Sequence, residues 1–108
     1  MSFLDELFGS PTGRLDSYWI DVRGARQLYS FHFTLERSSN GQITMHIDVQ
    51  PSYGERAAGG HATHRWRVTT DRPQICFEPL PTTKKAAKKI TMGWAQRTVR
   101  YIENDTEF

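Results

Sequence analysis

The chain of 108 residues is 37% hydrophobic and 24% charged with a net charge of +2, values that describe one ordinary globular domain spanning 1-108. It has no run of eighteen apolar residues and no basic-then-apolar leader, so neither a membrane span nor a secretion signal is expected, and the default location is cytoplasmic. The single cysteine, Cys76, rules out an internal disulfide and agrees with a reducing compartment.

In chain order, SFLDELFG predicts a short N-terminal helix, with Ser2 as cap, Gly9 as stop and Phe3, Leu4, Leu7 and Phe8 as a sticky face. GSPTGR reads as a linker. From Ser17 the apolar period becomes two, which predicts three strands: Tyr18, Ile20 and Val22 mark the first, Tyr29, Phe31, Phe33 and Leu35 the second, Ile43, Met45, Ile47 and Val49 the third. Matching of faces sets the register. A three-residue loop from Ser39 to Gly41 pairs Phe33 with Ile47 and Leu35 with Met45, and it puts Gly41 at the left-handed position. A four-residue loop from Gly24 to Gln27 puts Ile20 opposite Phe31.

Residues 51 to 63 have no useful period and read as a long loop, the length at which loops are functional or disordered. HRWRVTT predicts a fourth strand with Trp66 and Val68 inward and Arg65 and Arg67 outward; QICFEP predicts a fifth with Ile75 and Phe77 inward. A long helix follows, capped by Thr82 or Thr83. Ala87, Ile90, Trp94, Thr98, Tyr101 and Ile102 form its apolar side, and Lys85, Lys88, Lys89, Gln96 and Arg100 its polar side. Gly93 in mid-helix suggests close approach to the sheet. The fold class expected is α+β: a mostly antiparallel five-stranded sheet, a short N-terminal helix, and a long C-terminal amphipathic helix packed on one face.

No catalytic signature is present. On the wet face of the first three strands, Trp19 is expected beside His32, His32 opposite Asp48, and Thr34 opposite His46. A His–Asp pair suits a general base and its orienter, yet no serine or cysteine nucleophile falls beside it in this reading, which leans away from an enzyme. His61 and His64 form an HxxH without a third spaced ligand, so no metal is expected. The Gly-rich loop lacks the strand-to-helix context of a phosphate-binding loop, and no cofactor is expected.

The charge distribution is the strongest functional hint. Residues 82 to 101 hold Lys84, Lys85, Lys88, Lys89, Arg97 and Arg100 and no acid, and four lysines at a helix start oppose its dipole by about 0.3 kcal/mol or more apiece. Clustered Lys and Arg bind phosphate backbones, and exposed aromatics stack on bases. The function expected is therefore a small non-catalytic binding protein for nucleic acid or another polyanion. Lys85, Lys88, Lys89, Arg100, Arg65 and Arg67 are its charge contacts and Trp19 its stacking residue. The alternative is a protein-interaction module, an inhibitor, immunity protein or oligomer subunit, using the N-terminal apolar segment and the 51-63 loop. The element order is similar in outline to the single-stranded nucleic-acid-binding repeats of the Pur-alpha and Whirly type, to pleckstrin-like barrels, and to small bacterial immunity proteins. No motif accompanies that likeness, and no residue is carried over from it.

Overall fold

The computed structural model describes residues 12–53, 63, 65–66 and 72–104. Three full strands form the sheet: β1 (Gly13–Arg23), β2 (Leu28–Arg37) and β3 (Ile43–Val49). Two segments of two residues each, β4 (Arg65–Trp66) and β5 (Gln74–Ile75), continue it. The order is β1-β2-β3-β5-β4, antiparallel at every junction. A long helix, α1 (Lys84–Asn104), lies across one face. The architecture is thus α+β, and β5 is far shorter than its periodicity suggests. The predicted N-terminal helix, and all but the two ends of the 51-63 loop, lie outside the described residues.

Face-matching predicts the central register well. Phe33 pairs with Ile47, Leu35 with Met45, and Ile20 with Phe31. Gly41 takes φ 86°, where a side chain would be strained, and its amide donates to the Ser38 carbonyl at 3.0 Å. At the other turn the Gly24 amide donates to Gln27 O at 2.9 Å, which closes the expected four-residue loop.

The dry face carries Phe31, Phe33, Leu35, Ile43, Met45 and Ile75, all at 2% exposure or less. Trp94 from α1 stands edge-on to Phe31 and Phe33, with centroids at 5.9 and 6.0 Å, the arrangement favoured by ring quadrupoles. Its indole N–H donates to the Thr63 carbonyl at 3.0 Å, so its polar atom is not left unpaired. Tyr18 and Thr91 make a second polar link between sheet and helix, 2.7 Å between oxygens. Because the Thr91 hydroxyl proton goes to Lys88 O, Tyr18 is the donor. The helix start is capped by Thr83, whose Oγ1 accepts from the Ala86 amide at 3.1 Å.

Four expectations fail here. Val49, expected on the apolar side with Ile43, Met45 and Ile47, is 43% exposed, because the irregularity between His32 and Phe33 sets it opposite His32. Phe77 is 40% exposed, because pairing stops at Ile75 and alternation has no sheet to follow beyond it. Gly93 makes no close approach: a Cβ built there meets nothing within 4 Å. Arg65, assigned to the outward side of a strand, is 7% exposed. The guanidinium lies 4.8 Å over the Tyr53 ring and its Nε donates to Thr63 Oγ1 at 2.7 Å, and these contacts hold the side chain inward.

Candidate functional site

Two surfaces carry chemistry, one on each side of the sheet. The first is the outward side of α1. At about 100° per residue, Lys85, Lys89, Met92, Gln96 and Arg100 fall in one line, flanked by Arg97. All six are exposed. Lys85 and Arg100 stand about 22 Å apart along the axis, at roughly 1.5 Å rise per residue. Among the described residues, no carboxylate lies within ion-pair distance of Lys85, Lys89, Arg97 or Arg100.

Lys84 and Lys88 behave differently. Asp16 Oδ2 sits 2.8 Å from Lys88 Nζ and 3.4 Å from Lys84 Nζ, and Lys88 Nζ also lies 5.0 Å from the Tyr18 ring centroid. The Lys88 hydrogen bond holds the Asp16 carboxyl below its usual range against the opposing effect of burial. The first turn of α1 has no acid of its own, and β1 supplies one. Sequence reasoning missed Asp16, although the alternation of Tyr18, Ile20 and Val22 extended by one step places it on the helix side.

The second surface is the open, polar face of the sheet. Trp19 projects from it, 60% exposed, with its ring set at 63° to His32 and centroids 4.9 Å apart. His32 Nδ1 lies 2.8 Å from Asp48 Oδ2. The pair forms as expected, although an irregularity after His32 sets its backbone opposite Val49 rather than Asp48. Thr34 faces His46, again as expected. Contrary to expectation, a serine stands beside the pair: Ser17 Oγ is 3.2 Å from His32 Nε2. The register that pairs Trp19 with His32 also pairs Ser17 with Thr34, so the signal was present in the strand pairing.

Further along this face, Glu36 bridges Arg72 at 2.9 Å and His46 at 3.4 Å. The latter contact is within ion-pair reach without being a well-formed hydrogen bond, and among the described residues neither His46 nitrogen has a hydrogen-bond partner. Burial, followed by the Arg72 charge, pushes the His46 pKa down. Burial alone would raise the Glu36 carboxyl, but the Arg72 hydrogen bond and the neighbouring positive charges outweigh it and the net direction is down. Among the described residues, no group of three or more His, Cys, Asp or Glu is placed to hold a metal ion, and no helix is long and apolar enough to cross a membrane.

The predicted contact residues therefore do not form one footprint. Lys85, Lys89 and Arg100 share the helix stripe, and Lys88 stands at its rim, engaged by Asp16. Arg65 is buried, Arg67 lies outside the described residues, and Trp19 is on the opposite side of the sheet. Cys76 is free and half-buried. No family model, curated protein or solved structure matches this chain, and what these surfaces can do follows from their geometry alone.

Proposed function

We propose that the protein binds nucleic acid through the outward stripe of α1. The observation that supports this is the set Lys85, Lys89, Arg97 and Arg100, exposed and without a carboxylate partner among the described residues. Cations left unpaired along a rigid rod release phosphate counterions on docking, and backbone binding needs no more. Trp19 does not belong to this footprint, so the contact is of the sequence-independent, phosphate-reading kind.

The test is fluorescence anisotropy of a mixed-sequence oligonucleotide against salt. Four phosphate contacts give a log–log slope of about −3, at roughly −0.7 to −0.9 per contact, and Lys85→Gln and Lys89→Gln each reduce it by about one. An unchanged slope in the double variant would overturn the reading. Met92, 40% exposed within the stripe, favours a second reading in which an acidic protein segment docks there. In that case Met92→Ala weakens capture of an acidic amphipathic peptide and leaves oligonucleotide binding alone.

A further inference from the structure

We infer that Ser17, His32 and Asp48 form a nucleophilic relay on the open face of the sheet, able to accept the acyl group of an activated carboxylic ester. The basis is an ordered pair of contacts: Ser17 Oγ to His32 Nε2 at 3.2 Å, and His32 Nδ1 to Asp48 Oδ2 at 2.8 Å. A nucleophile within reach of a base, itself held by a third group, is the arrangement that activates a serine.

Proton accounting fixes the direction of the relay. A carboxylate only accepts, so His32 Nδ1 carries the proton it shares with Asp48. In the neutral imidazole Nε2 is then a bare acceptor, and Ser17 must donate to it. Thr34 Oγ1 donates to Asp48 Oδ2 at 2.6 Å, so toward Ser17 Oγ, 3.4 Å away, it can only accept. His32 Nε2 at 3.2 Å is the nearer of the two acceptors for the Ser17 proton, and Asp48 is held from two sides.

The three side chains stand on three adjacent strands whose opposite face is locked by Tyr18, Phe33 and Ile47. A site on strands keeps its geometry better than one on loops. Trp19 offers an apolar platform edge-on to the base, suited to an aryl group.

In the reaction, Ser17 Oγ attacks the ester carbonyl carbon and its proton passes to His32 Nε2. The bond to the leaving oxygen breaks, and that oxygen takes the proton, leaving acyl-Ser17 and a free alcohol or phenol. Water then attacks the acyl carbon, giving its proton to His32, which returns one to Ser17 Oγ as the carboxylic acid departs. The Ser17 amide donates to Asp16 Oδ1 at 2.8 Å, so it does not serve as an oxyanion donor. That restricts the class to esters with good leaving groups and excludes amides.

The experiment uses the full chain and an alkyl fluorophosphonate, which phosphonylates an activated serine with loss of fluoride and of the serine proton. Intact mass and peptide mapping should show one adduct per chain, on Ser17, absent in Ser17→Ala and formed about a hundredfold more slowly in His32→Gln. A 4-nitrophenyl ester should release about one equivalent of phenol in a burst that Ser17→Ala removes. Absence of label on Ser17 in the parent chain overturns the proposal whatever the variants do, as does a rate that His32→Gln leaves unchanged in a folded variant. Lys85→Gln/Lys89→Gln should label normally, which separates this site from the helix stripe.

Discussion

Replacing Asp16 with Asn should weaken the fold and strengthen polyanion binding at once. Asn keeps a side-chain oxygen for the Ser17 amide that Asp16 Oδ1 now accepts at 2.8 Å, so the change isolates the charge. What is lost is the ion pair to Lys88 at 2.8 Å and the longer one to Lys84 at 3.4 Å. The lysines are about half exposed and Asp16 a quarter, so each contact stays in the range of partly screened surface pairs, and the total cost is about 1 kcal/mol. For a domain of this size that lowers the melting temperature by roughly 4–8 °C. The Asp16 carboxyl titrates below its ordinary 3.8 in the folded chain. Its contribution is therefore present above that value and lost as pH falls through the lower folded one, so parent and variant should converge in acid. On the binding side, each lysine released to a phosphate adds about 0.9 to the salt slope and roughly eightfold to affinity near 0.1 M salt. Urea unfolding and oligonucleotide anisotropy on the same preparation read both effects. A variant of parental stability would show that the ion pair is idle, and a destabilised variant with unaltered slope would show that this end of the helix does not meet the ligand.

Two further outcomes follow from the packing. Gly24→Ala should cost about 1–3 kcal/mol in urea unfolding, because a Cβ there collides with the Glu103 carboxylate and comes 2.5 Å from Tyr29 Cε2. That carboxylate accepts from the Ala25 amide at 3.0 Å and the Tyr29 hydroxyl at 3.2 Å; if the collision is the cause, adding Glu103→Ala to Gly24→Ala costs less than the sum of the two. The His46 pKa lies below its ordinary 6.5 in the folded state, so the stability this entails is present above pH 6.5 and declines as pH falls toward the lower folded value. His46→Gln should flatten that limb as pH falls below about 6.5, and equal pH slopes in parent and variant would sink the assignment. Glu36, lowered from 4.5, acts only in a separate window further into acid.

The central sheet was legible because two constraints coincided: β1, β2 and β3 alternate cleanly, and only one loop length at each turn keeps the apolar sets on one side. Where pairing is short, alternation misleads. Phe77 sits in a run that looks like a strand, yet β5 holds two residues and pairing ends before it, while Arg65 is turned inward by Tyr53 and Thr63. Those are tertiary facts without a local signal. Ser17 and Asp16 were within reach of the pattern, one on each face, at the point where the readable alternation of β1 begins. Asp16 also resolves the anomaly of the lysine-rich helix start. Two of the four lysines, Lys84 and Lys88, face an acid brought by another strand and have a structural reason to be there. Lys85 and Lys89 point away from that acid, along the line that runs through Met92 to Arg100. Nothing in the packing of the described residues requires their charge, and neutral substitution at those two positions should therefore weaken binding without lowering stability.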